Sequence, residues 1–204
     1  MSKYALGLCL LALASVGLGA TLVSTQGICL DPNQVFEQSF SYNPAVQGGT
    51  IIIQTYGYGG SANGSIVAST GRNLAGNIVS AGGFDPIIGL FAGAAGGGGV
   101  RIDFNDDGVC GLNRGETDAG ICFDSTIVIS GLAVGTYTVS LSVFPNFPPT
   151  TEPGPYPGGP ATFGAGRSSA FAIDAAAVPE PLTFGLMGAG LLGLGLLRRR
   201  LKKA

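Results

Sequence analysis

The chain has 204 residues, 36 of them glycine and 12 proline, with 11% charged residues and a formal charge of −2 at pH 7. Histidine and tryptophan are absent, which excludes Ser-His-Asp and Cys-His catalysis and the usual imidazole zinc centres. Lys3 and five bases from Arg198 to Lys203 lie at the ends, leaving Arg72, Arg101, Arg114 and Arg167 against eleven carboxylates in the body, so no basic patch exists to release counterions from a nucleic acid.

The first 20 residues read as a secretory signal: Lys3 gives a positive start, Tyr4 to Leu18 an apolar helical core, and Gly17, Gly19 and Ala20 a small-residue cleavage region. An uncleaved anchor is the alternative, but the run is shorter than the roughly 20 apolar residues a span requires. Cys9 leaves with this segment.

Residues 21–177 are expected to form one all-β ectodomain. The segments Phe36 to Tyr42, Thr50 to Tyr56, Asp85 to Phe91, Val100 to Phe104, Ser125 to Ser130, Thr136 to Val143 and Ser169 to Asp174 are rich in β-branched and aromatic residues. In two of them the alternation is clear: Val100, Ile102 and Phe104 share one face, and Tyr137, Val139, Leu141 and Val143 another. Seven short strands with glycine-rich turns suggest a single β-sandwich, jelly-roll-like in character. The glycine-rich stretch from Gly57 to Gly83 reads as an extended loop, and Phe144 to Pro160 as a proline-held loop over the sandwich or at its edge.

Two chemical features stand out in the middle of the body. Cys110 and Cys122 bracket a polar loop, and outside the cytoplasm this spacing suits a disulfide, leaving Cys29 odd. In "DFNDDG", Asp103, Asn105 and Asp107 take positions one, three and five of a calcium-loop pattern, with Gly108 at six. Position twelve is Arg114 rather than a bidentate glutamate, so carboxylates such as Asp85 or Asp124 would have to complete the shell. The competing reading is a polar turn that closes the preceding strand. The run Gly96 to Gly99 lacks the Lys-Ser/Thr of a phosphate loop.

The chain closes with Pro179-Glu180-Pro181, sixteen mostly apolar residues from Leu182 to Leu197, and Arg198-Arg199-Arg200. This three-part tail, residues 178–204, resembles the PEP-CTERM sorting signal recognised by exosortases of Gram-negative bacteria. The resemblance implies an exported precursor held in the inner membrane by a C-terminal transmembrane helix. A membrane-embedded exosortase then cuts near the triplet and passes the protein to the cell surface or extracellular matrix, often where extracellular polysaccharide is made. As a helix the apolar run spans about 24 Å, short of a ~30 Å bilayer core, with its arginines on the cytoplasmic side.

In the body, "GGFDPIIGLF", "NDDG" and "CFDSTIVISGLAVGTYTVSLS", in that order, resemble the bacterial pre-peptidase C-terminal sandwich. That resemblance implies a noncatalytic module, and in calcium-binding relatives a ligand set falling here on Asp85, Asn105, Asp106, Asp107 and Asp124. The expected function is therefore a noncatalytic, exported surface or matrix protein without a required cofactor. The alternative is a calcium- or polysaccharide-binding module, and an exported hydrolase stands further off. A sugar binder predicts that Tyr56, Tyr58 and Tyr156 converge on one exposed face.

Overall fold

The computed structural model describes residues 20–56, 58, 75, 77, 82–108, 117–118, 121–159 and 170–178. Its strands are β1 (Ala20–Ile28), β2 (Phe36–Tyr42), β3 (Thr50–Tyr56), β4 (Pro86–Ala92), β5 (Arg101–Asn105), β6 (Thr117–Asp118), β7 (Ile121–Cys122), β8 (Thr126–Ser130), β9 (Gly135–Val143) and β10 (Ala170–Val178). One helical turn, α1 (Pro44–Gln47), is capped by Asn43, whose side chain accepts from the Ala45 N–H.

Two antiparallel four-stranded sheets carry the fold, one ordered β1-β10-β3-β8 and the other β2-β9-β4-β5, with β6 and β7 forming a separate ribbon. All seven expected strands are present, two with the expected bounds and the others within four residues at their ends. The sheets pack face to face because alternation gives each an apolar side. Ile51, Ile53, Ile127, Phe171, Ile173 and Ala175 of the first sheet meet Phe40, Tyr42, Ile88, Leu90, Tyr137, Val139 and Leu141 of the second in one core. Cys29 is buried in that core as a free thiol, and burial pushes its pKa up to about 11, so it packs as a small apolar side chain.

The two alternating strands have different fates. Tyr137, Val139, Leu141 and Val143 face the core as expected. Val100, Ile102 and Phe104 are instead exposed, at 63%, 37% and 40%. β5 is an edge strand whose register on β4 shifts between Leu90 and Phe91, so Asp103 and Asn105 oppose the core residues Leu90 and Ile88 while Phe104 opposes Gly89 on the outer side. The apolar alternation of β5 therefore points away from the core.

The outer side of the second sheet is covered too. Residues 144–159 form a strap across it, with cis peptides at Phe144-Pro145 and Glu152-Pro153. The strap is pinned by bonds from Ser142 Oγ to Asn146 O (2.5 Å), Arg101 N to Thr150 O (2.9 Å) and Glu152 N to Gly99 O (2.8 Å), and by the Arg101 guanidinium on Pro148 O. Thr138, Ser140 and Ser142, which alternate with the core residues of β9, are buried as fully as those residues.

Candidate functional site

The acidic residues singled out in the sequence gather at one end of the sandwich, where β4 and β8 begin and β3 and β5 end. Asp124 is fully buried there, and its two oxygens accept from Thr55 Oγ1 (3.1 Å) and Tyr58 N (3.4 Å). Thr55 Oγ1 in turn accepts from Ser125 N (2.8 Å), tying the end of β3 to the start of β8. Ser125 Oγ lies 2.6 to 3.0 Å from the carbonyl oxygens of Pro86, Asn105 and Asp106. A hydroxyl has one proton to donate, so three carbonyls crowd a single donor.

Asp85 precedes β4 and faces this cluster. Burial, and then the charges of Asp106, Asp107 and Asp124, push its pKa up to about 8. Asp106 rises to about 6, from burial and then the charge of Asp107. One oxygen of each, Asp85 Oδ1 and Asp106 Oδ1, is buried with no hydrogen-bond partner. Four carboxylates thus share one electrostatic neighbourhood, and Asp85 relieves the repulsion by holding its proton at neutral pH.

The calcium-loop spacing does not survive as a wrap around one point. Asp103 and Asn105 belong to the extended strand β5, where Asp103 Oδ1 accepts from Phe104 N (2.9 Å) and Asn105 Oδ1 from Thr126 N (2.9 Å). Asp107 lies beyond the strand in the turn. Asp106, outside the one-three-five pattern, joins Asp85 instead. Among the described residues, no three acidic or cysteine side chains are disposed to hold a metal ion.

The three tyrosines do not share an exposed face. Tyr56 is buried against Ala172, Tyr58 stacks on Phe123 at 4.5 Å, and Tyr156 belongs to the strap, its hydroxyl 2.5 Å from Glu152 Oε1 of the same segment. Phenylalanines gather elsewhere: Phe104 meets Phe147 edge-on at 6.3 Å, and the Arg101 guanidinium stands 4.5 Å from the Phe104 ring centre. With the strap prolines they line an open groove of about 670 Å³.

Both halves of the expected sorting motif, Pro179-Glu180-Pro181 and Arg198-Arg199-Arg200, lie outside the described residues, as does Cys110; of Cys122 only the backbone pairing with Thr117 is described. No helix among the described residues is long and apolar enough to cross a membrane. No protein-family model matches the chain, and no curated protein matches it either.

Proposed function

We propose that this chain is an exported, noncatalytic surface or matrix protein whose ectodomain is delivered through a C-terminal PEP-CTERM signal processed by an exosortase. The observation that carries this reading is the pairing of the first and last strands of the sandwich. Ala20 of β1 pairs with Ala177 of β10, so the described body opens and closes on neighbouring strands of one ladder. Processing ahead of β1 or after β10 would leave these ladders whole. The strand order, with chain neighbours mostly alternating between the β1-β10-β3-β8 and β2-β9-β4-β5 sheets, supports a jelly-roll form of the sandwich.

The test is intact-mass analysis of the protein at the cell surface, with and without the exosortase. The expected mature form lacks residues from about Leu182 onward, and replacing Pro179-Glu180-Pro181 by alanines traps the precursor in the inner membrane. Surface material that still contains Arg198 to Ala204 would overturn the reading.

A second reading, a calcium-binding module, is favoured by the two orphaned carboxylate oxygens of Asp85 and Asp106. A dication between them would supply the missing countercharge. On this reading millimolar calcium raises the unfolding midpoint and Asp85→Asn abolishes the rise. An equal midpoint in calcium and in chelator rejects it.

A further inference from the structure

The two ends of the sandwich differ in charge. Asp31, Asp85, Asp106, Asp107 and Asp124 all lie at one end, in the connections that leave β1 and β5 and enter β4 and β8. At the opposite end the connections are 43–49 between β2 and β3, 93–100 between β4 and β5, and 131–134 between β8 and β9, and these contain no charged residue. They are tied to one another and to the sheets: Gly131 N donates to Gly49 O (3.3 Å), Gly93 N to Thr136 O (2.8 Å) and Ala95 N to Ser39 Oγ (2.9 Å). Arg101, which follows the second connection, is drawn off to Pro148 O and the Phe104 ring.

The uncharged end is also apolar at its tips, where turns ordinarily carry polar side chains. Val46 on α1 is 80% exposed and Val134 is 68% exposed, with Ala45, Ala94, Ala95 and Ala133 exposed around them. Val46 and Val134 flank an open groove of about 470 Å³ whose polar lining includes Asn43 and Gln47, amides rather than charges. The two apolar runs of the sequence adjoin this same end. Ala20 and Val178 stand there, paired with Ala177 and Thr50, while Leu18 precedes Ala20 by two positions and Leu182 follows Val178 by four. Four residues of chain reach at most about 14 Å.

We propose that the uncharged end is a membrane-seating surface: while the precursor is anchored, the tips bearing Val46 and Val134 rest among the phospholipid headgroups of the bilayer that holds its C-terminal run. The inference rests on reading Leu182 to Leu197 as a membrane anchor. The short reach from Val178 brings a bilayer, before any other partner, up to this end of the body. Charge then fixes the orientation, because an interface accepts apolar and uncharged polar side chains, whereas an anionic lipid surface repels the carboxylates of the other end. Two valines hold a bilayer weakly on their own, and the tether supplies the effective concentration that makes the contact persistent. Cutting at Pro179-Glu180-Pro181 removes the tether, so the seat is given up when the body is released.

The chain has no tryptophan, so a single introduced one reports alone. The full chain is reconstituted into vesicles of phosphatidylcholine and phosphatidylglycerol whose acyl chains are brominated near the headgroup. Fluorescence of Val46→Trp and of Val134→Trp should be quenched by about half or more, and that of Leu30→Trp, at an 87% exposed site on the acidic end, should be unchanged. All three positions are exposed, so the substitutions spare the core. Adding Val134→Asp to the Val46→Trp chain should reduce the quenching about twofold or more, since a carboxylate resists the interface; a body merely kept close by its tether would not respond. Flotation of the same vesicles tests the anchor separately. A chain that fails to float with them overturns the anchor reading and the seat together. A chain that floats but shows no quenching at Val46, equal quenching at both ends, or quenching indifferent to Val134→Asp overturns the seat alone.

Discussion

The two faces of β9 are buried equally and by different means. One face, Tyr137, Val139, Leu141 and Val143, is covered by the opposing sheet and is apolar. The other, Thr138, Ser140 and Ser142, is covered by a loop and is hydroxylated. An apolar face is buried because water rejects it, and any well-packed neighbour will do. Burying a hydroxylated face costs free energy wherever a hydroxyl goes unbonded: Thr138 Oγ1 donates to Gly93 O at 2.8 Å and Ser142 Oγ to Asn146 O at 2.5 Å, while Ser140 Oγ is buried with no hydrogen-bond partner. Equal exposure thus conceals different energetics, nonspecific and strong on one side, specific and weak on the other.

The sharpest way to break the comparison is to change the packing on both sides. Leu141→Ala on the inner face should destabilise the fold by about 2–5 kcal/mol in urea unfolding, because the cavity is enclosed by two sheets. On the outer face the informative change adds volume: a Cβ at Gly89 would sit 2.8 Å from Ser140 Oγ and 2.9 Å from both Phe91 Cε2 and Pro148 Cβ. Gly89→Ala should therefore cost about 1–3 kcal/mol, less if the strap shifts to make room, and it should speed exchange at Phe147 before the core ladder is affected. An effect on the ladder equal to that on the strap would mean that the loop is as integral as the sheet.

The acidic end gives the smallest expected effect, and it enters through pH. Asp85 and Asp106 have folded pKa values raised to about 8 and about 6 from an ordinary 3.8, so their contribution is complete below 3.8 and is lost as pH climbs through 6 and then 8. Allowing for solvent screening, the fall in stability should be about 1 kcal/mol, and Asp85→Asn should remove most of it. A profile unchanged by that substitution would place the pH dependence outside this cluster.

The inner architecture was legible in the sequence because alternation of large apolar residues survives any context. β2, β3, β4, β8, β9 and β10 all have a side that only a core can satisfy. β1 was hidden for the opposite reason. Its sequence, "ATLVSTQGI", mixes apolar and polar residues without a sustained alternation, and Gly27 reads as a turn residue, whereas in the fold it is the place where the Phe171 ring comes to 2.9 Å from where a Cβ would stand. β5 misled because an edge strand with a register shift can turn its apolar side outward. The proline run was readable as a cover over the sandwich, since prolines hold an extended path, but the bonds that pin it, Arg101 N to Thr150 O and Glu152 N to Gly99 O, join segments far apart in sequence and nothing local marks them. The alternate-residue calcium pattern passes over Asp106, which only the sandwich resemblance includes, while the fold selects by proximity.

The position of β10 also has a mechanical meaning. It lies between β1 and β3, bonded along both edges, and it is the strand from which the C-terminal segment departs. A tether attached after Val178 and pulled along the strand loads two ladders in shear, with many bonds resisting at once. The same force applied between the two ends of the body would peel β1 from β10 starting at Ala20 and Ala177, one bond after another. The fold is thus strong when hung from its C-terminal end and weak when stretched between its two ends.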